Sequence, residues 1–122
     1  MGVALARPTQ RIVCIVGDGS MLYAIQSIWT AAQHALPITF VIFDNGGYGA
    51  LQSFGGMLGV IGAPGQDLPG IDFVSLARGF GCEAVSVTRS AEVEPALRAA
   101  FDAPGARLVA VRLVDEVERW LY

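Results

Sequence analysis

Two apolar, β-branched runs, residues 11–16 and 38–43, each break into a turn of small residues and oxygen-bearing side chains. The first turn is Gly17-Asp18-Gly19-Ser20 and the second is Asp44-Asn45-Gly46-Gly47-Tyr48-Gly49. Between them Leu22, Ile25, Ile28, Trp29 and Ala32 recur at helical spacing, which predicts one amphipathic helix over 21–35, closed before Pro37. Strand, helix and strand with short connections form a βαβ unit, whose strands run parallel with a right-handed crossover. No other feature constrains the fold as much. It puts both turns at the carboxyl ends of two strands, where open α/β sheets bind their ligands.

The rest of the chain extends this pattern. Residues 1–6 read as the last turn of a helix stopped at Arg7-Pro8. A short helix is expected over 48–57, followed by a Gly- and Pro-rich surface loop over 58–70 of the kind that shapes binding sites. Asp72 caps a helix over 73–80 that Gly81 ends, and 83–87 is a third strand. Ser90 is expected to cap a helix reaching Asp102, with Pro95 close to its first turn. Residues 107–114 form a fourth strand and 115–122 a short amphipathic tail. This order predicts an α/β fold: a doubly wound, mainly parallel sheet with helices on both faces.

At 122 residues the chain is one domain, and its 53% hydrophobic content suits a sheet buried on both faces, a surface meant for partner domains, or both. No apolar stretch reaches the ~18 residues of a membrane span. The formal net charge is −3, and all eight basic residues are scattered Arg. That excludes the clustered positive charge nucleic acid requires, and the absence of Lys excludes a Walker-type phosphate loop. Cys14 and Cys82 have neither metal nor redox spacing and read as buried thiols. No signal-peptide pattern is present, so a cytoplasmic location is expected.

A phosphate ligand must then be held by backbone N–H groups, a helix N-terminus and a metal. The helix opening near Met21 offers free N–H groups, and Gly19 and Ser20 allow close approach. Asp18 supplies a hard anionic oxygen, Asn45 a neutral amide oxygen, and Gly47 can turn its carbonyl inward. Three such oxygens, two from a diphosphate and a water complete the octahedral shell that Mg²⁺ prefers. Gly-Asp-Gly or Asn-Gly alone is usually just a tight turn. Both at strand ends of one βαβ unit favour a site.

The two motifs and their separation resemble the diphosphate-binding domain of thiamine diphosphate-dependent enzymes, whose signature is Gly-Asp-Gly followed by Asn-Asn. The resemblance spans nearly the whole chain and is closest to the benzoylformate decarboxylase branch of the 2-oxo acid decarboxylases. It rests on Gly17-Asp18-Gly19-Ser20, Leu36-Pro37, the run Asn45-Gly46-Gly47-Tyr48-Gly49-Ala50-Leu51, and Leu68-Pro69-Gly70-Ile71-Asp72-Phe73. It implies thiamine diphosphate and Mg²⁺ as cofactors, with Asp18, Asn45 and the Gly47 carbonyl as metal ligands. Gly17, Gly19, Ser20, Tyr48 and Gly49 would complete the cofactor site, and Leu51 and Phe54 would face substrate. The implied reaction is non-oxidative decarboxylation of a 2-oxo acid to an aldehyde in a homodimer or homotetramer. The activating Glu belongs to a pyrimidine-binding domain of the same or a neighbouring subunit. Residues 1–122 are therefore expected to be the C-terminal piece of a larger enzyme, inactive alone.

Asp44 stands where the signature normally has its first Asn, which leaves two readings: a turn or supporting role, or an extra negative charge near the metal. His34 is expected at a helix end against terminal carbonyls, and Trp29 and Phe40 in core or interface packing. Glu92 and Glu94 suit a helix start, Asp67 lies in the long loop, and Trp120 and Tyr122 are expected to dock on another part of the enzyme. The rival readings are an acetolactate- or glyoxylate-type carboligase, a catalytically silent fragment, and a generic doubly wound phosphate binder.

Overall fold

Four parallel strands carry the molecule: β1 (Ile12–Gly17), β2 (Ile38–Asp44), β3 (Glu83–Val87) and β4 (Arg107–Arg112). In the computed structural model, which describes residues 1–113, they pair in the order β1-β2-β4-β3. Register is fixed by Ile12↔Ile38 and Gly17↔Phe43 on one side of β2 and by Thr39↔Arg107 and Asp44↔Arg112 on the other. The two site turns therefore begin on adjacent strands, at the same level of the sheet. Val114 and the expected tail, with Trp120 and Tyr122, lie outside the described residues.

The helices are α1 (Gly2–Ala6), α2 (Asp18–Leu22), α3 (Ser27–Gln33), α4 (Gly49–Met57), α5 (Phe73–Gly79) and α6 (Ser90–Asp102). The connections from β1 to β2 and from β2 to β3 step the same way across the sheet. Their helices α3 and α5 bury Ile28, Ala31, Phe73 and Ala77 on one face, against Ile38, Phe40, Ile42 and Leu108. The β3–β4 connection steps back, and its helix α6 buries Ala100 on the opposite face, against Val41, Val87, Val109 and Val111. That distribution is what right-handed crossovers require. It bears out the doubly wound expectation. Among the described residues no helix is long and apolar enough to cross a membrane.

The single helix expected over 21–35 is two helices. Ala24, Ser27 and Ile28 donate to Met21, Ala24 and Ile25, bonds spaced three residues apart that tighten and redirect the chain. The break lets α2 begin at Asp18 while Ile28 and Ala31 of α3 still reach the core. At the end of α3, Ala35 takes φ 47° without being glycine, and Leu36 N–H reaches back to the Ala31 carbonyl. His34 does sit at that helix end, as the C-cap, bonding through its backbone N–H.

Other expectations shift slightly. Ser90 is the first residue of α6, and Arg89 holds the N-cap position with no side-chain bond. Pro95 lies in the second turn. Glu92 pairs with Arg89 and Glu94 with Arg98. Phe40 is core, whereas Trp29 is half exposed and off it. Cys82 is buried, which pushes its thiol up to about 11, but Cys14 is only partly so. Arg11 spans the amino ends of β1 and β2, donating to Thr39 Oγ1 (3.3 Å) and to the Gly105 carbonyl (3.0 Å), and so ties down the α6–β4 loop.

Packing on the α6 face is uneven. Its apolar cover reaches β3, β4 and part of β2, while Val13 and Ile15 of β1 remain 44% and 66% exposed. Leu108, 1% exposed, is central to the other face. Leu108→Ala should lower the unfolding free energy by about 3 kcal/mol in urea titrations, through lost burial and a residual cavity. Ile15→Thr should stay within about 0.5 kcal/mol of the parent, as for an exposed position.

The Asp72 carboxylate accepts from the Ser75 hydroxyl and from Ser75 N–H (3.0 Å), capping α5 as the sequence predicts. The hydroxyl first and the backbone N–H second hold this carboxyl below the usual range. A group whose pKa is depressed by folding adds stability above its unfolded value, and that increment disappears as pH falls through the folded value. The stability gap between the parent and Asp72→Ala, measured by urea midpoints from pH 7 downward, should thus narrow below about pH 4. A constant gap would contradict the cap's charge dependence.

Candidate functional site

Asp18 follows the last residue of β1 and opens α2, with Gly17 as N-cap in extended conformation. Only 2% of Asp18 is exposed, so its carboxylate must find donors inside the protein. Oδ1 accepts from Gly19 N–H at 2.7 Å. Oδ2 accepts from Gly46 N–H at 2.8 Å and Gly47 N–H at 3.0 Å. Bonds to an ionised acceptor are the strong ones, and here they sew the first turn to the second. Gly46 reaches this position with φ +75°, which a side chain rarely tolerates.

Asn45 projects into the same place. With its amide turned one way, the nitrogen donates to the Gly47 carbonyl (2.9 Å) and to Asp18 Oδ1 (3.0 Å) and Oδ2 (3.3 Å). Turned the other way, an amide oxygen occupies that point and faces three acceptors with no proton between them. A cation resolves that second arrangement. Ligands at about 2.1 Å in an octahedron lie about 3.0 Å apart along its edges, close to these separations. Carboxylate, amide and carbonyl oxygens are the donor types a hard divalent cation takes. Among the described residues there is no cluster of three His, Cys, Asp or Glu, so a thiolate- or imidazole-rich centre is absent.

The remaining predicted site residues lie on the turns and helices that follow the two strands. Gly19 is buried, and the Tyr48 ring lies where its side chain would be, a Cβ there falling 2.6 Å from Tyr48 Cδ1. Loss of solvation raises the Tyr48 phenol above its ordinary range, with Tyr23 and the Asp18 charge adding to the effect. Gly49 starts α4, and a Cβ on it would meet Asn45 Nδ2 at 2.9 Å. Ser20 is exposed on the outer side of α2. Leu51 and Phe54, 55% and 61% exposed, stand on α4, which buries none of its residues, so a dry wall there needs a second surface over it.

Sequence reasoning expected the long loop to shape a site but missed that it pairs with the second turn. Residues 58–70 carry a segment that pairs with the second turn: Tyr48 N–H donates to Gln66 O, and Leu68 N–H to Gly46 O, both at 2.8 Å. Gln52 Nε2 also holds Asp67 Oδ1 at 3.0 Å. A Cβ on Gly47 would lie 2.8 Å from the Gln66 carbonyl, so the loop leaves room only for glycine. The only sequence signal was the Asn45-Gly46-Gly47 run itself; nothing in residues 66–68 marks them as its partner.

Asp44 has two partners. Its Oδ1 accepts from Gly46 N–H (3.2 Å) and its Oδ2 from Arg112 Nη1 (2.9 Å). It supports the turn, as the first of the two readings expects, and Arg112 is its counter-ion. Arg112 had no sequence signal.

A family profile described as "Thiamine pyrophosphate enzyme, C-terminal TPP binding domain" matches residues 1–111. The chain belongs to this family. It is 45% identical to the benzoylformate decarboxylase of Pseudomonas aeruginosa over 111 residues, which is 91% of this chain and 21% of that protein. It is 39% identical to a putative acetolactate synthase large subunit of Mycobacterium tuberculosis, covering 91% of this chain and 23% of the relative. Among solved structures, a thiamine diphosphate-dependent 4-hydroxybenzoylformate decarboxylase of Rhodococcus jostii superposes with TM-score 0.87 at 40% identity, covering 91% of this chain and 21% of that one. The fold is thus the family's thiamine diphosphate-binding α/β fold. The chain spans about a fifth of the length of the curated relatives it matches.

Removing the Asp18 carboxylate strands the Gly19 and Gly47 N–H donors and leaves Gly46 N–H only its longer bond to Asp44. Asp18→Ala should cost about 2 kcal/mol of stability. Amide exchange should speed up selectively at Gly19, Gly46 and Gly47; unchanged exchange there would show that the two turns stand without it.

Proposed function

We propose that this chain is the thiamine diphosphate- and Mg²⁺-binding part of a non-oxidative decarboxylase acting on 2-oxo acids of the benzoylformate type. The observation that carries this reading is the convergence of the Asp18 carboxylate, the Asn45 amide and the Gly47 carbonyl within 2.9–3.3 Å, at the carboxyl ends of two adjacent strands. The similarity to benzoylformate and 4-hydroxybenzoylformate decarboxylases supports the same reading.

In this role Asp18, Asn45 and the Gly47 carbonyl hold the metal, and the metal neutralises the diphosphate in a chain that has no Lys to do so. Gly17, Gly19, Ser20, Tyr48 and Gly49 seat the diphosphate, mainly through backbone groups. Leu51 and Phe54 form one side of the substrate pocket and exclude water once a partner surface covers them. When bound, thiamine diphosphate supplies the carbanion chemistry and the electron sink for loss of CO₂. The activating Glu and the aminopyrimidine contacts come from a pyrimidine-binding domain of the same or a neighbouring subunit, in a cytoplasmic homodimer or homotetramer. The chain on its own is inactive.

The 39% identity to a putative acetolactate synthase large subunit keeps a carboligase as the second reading. Calorimetric titration of thiamine diphosphate with Mg²⁺ into the purified chain tests the first half of the proposal. Saturable binding is expected only with the metal present, weakened at least roughly tenfold by Asp18→Asn, a loss of about 1.4 kcal/mol. Binding indifferent to Mg²⁺ or to Asp18 would sink it. In the protein joined to a pyrimidine-binding domain, benzoylformate should be consumed in preference to pyruvate, and the reverse order would select the carboligase.

A further inference from the structure

The second site turn contains an arrangement that the cofactor reading does not use. Gly46 N–H is shared by two carboxylates, Asp18 Oδ2 at 2.8 Å and Asp44 Oδ1 at 3.2 Å. Two acidic side chains thus sit side by side on the turn proposed to hold the metal and, with it, the anionic diphosphate. Asp44 is largely shielded, its side chain 15% exposed, so its charge is felt by its neighbours. Its other oxygen accepts from Arg112 Nη1 at 2.9 Å.

The sheet fixes the backbone from which that guanidinium, on a side chain 53% exposed, reaches Asp44. Asp44 and Arg112 are register partners across β2 and β4, and Leu113 N–H donates to the Asp44 carbonyl at 2.8 Å. Arg112 also lies against the turn itself, Nη2 being 3.6 Å from where a Gly46 Cβ would stand. It falls one residue past the family match, which ends at 111.

We infer that Arg112 is a positioning residue for the diphosphate site: it neutralises Asp44 through one oxygen while the other stays on Gly46 N–H. Asp44 can then shape the turn without repelling the anionic ligand or competing with Asp18. The inference rests on the cofactor reading above. It differs from a direct role for Arg112 in holding phosphate, because all of its effect passes through the charge on Asp44. An amide at position 44 would accept from Gly46 N–H equally well and would need no counter-ion.

The test is a double-mutant cycle of Arg112→Gln and Asp44→Asn in the whole chain, read by calorimetric titration of thiamine diphosphate at saturating Mg²⁺, with urea unfolding of each variant measured alongside. Arg112→Gln should weaken binding roughly fivefold, and adding Asp44→Asn should return it to within about twofold of the parent. The weakening should shrink as salt rises from 20 mM to 500 mM, since it arises from charge. Weak binding by the double variant would overturn the inference in favour of direct contact between Arg112 and the ligand. Parent-like binding by Arg112→Gln would overturn it as well. Absence of binding by the parent chain, with coupling between the two residues still seen in urea, would overturn both the inference and the cofactor reading. Parent binding without rescue removes the inference alone.

Discussion

The Asp18 carboxylate is the joint on which the molecule depends. One buried side chain accepts N–H groups from its own turn and from the turn after β2, so the two turns share a single anchor. Its worth depends on burial. In water such bonds would exchange with solvent at little net cost, but at 2% exposure the lost acceptor leaves Gly19 and Gly47 N–H with nothing to replace it. The negative charge that makes the anchor strong also makes the place attractive to a cation, so the structural and chemical roles of Asp18 have one origin.

That anchor works only because the sheet delivers both turns to one spot. Parallel pairing of β1 with β2, with Gly17 opposite Phe43, sets the turns at equal height. The break between α2 and α3 frees the chain to start a helix at Asp18. The loop at 66–68 then clamps the outer side of the second turn with backbone bonds, and Tyr48 closes over Gly19. Each element restricts the next, and the small residues are small because a neighbour already fills the space.

Much of this was legible in the sequence. β-branched runs bounded by Gly and Pro gave the strands, and the Asp72 cap with Gly81 bracketed α5 as expected. The two motifs pointed to one place because the βαβ unit is local, its parts lying next to each other along the chain. What stayed hidden was long-range or short of pattern. Residues 23–26 continue a helical spacing, yet tertiary placement of Asp18 overrides it. Pairing of 46–48 with 66–68 depends on backbone groups, which every residue owns and no composition reveals. The two readings of Asp44 could be separated only by finding Arg112, 68 positions away, at the same end of the sheet.

The bare side of β1 has a consequence for how the chain behaves in solution. β1 lies at the end of the strand order, and Val13 and Ile15 on it are uncovered. An outermost strand with free backbone groups and an apolar flank is a template for further strand pairing. Nature usually blunts such edges with Lys or a bulge, and the described part of β1 holds neither. Handling of the separate chain should thus depend on concentration, because strand addition to an open apolar edge is an encounter between two polypeptides.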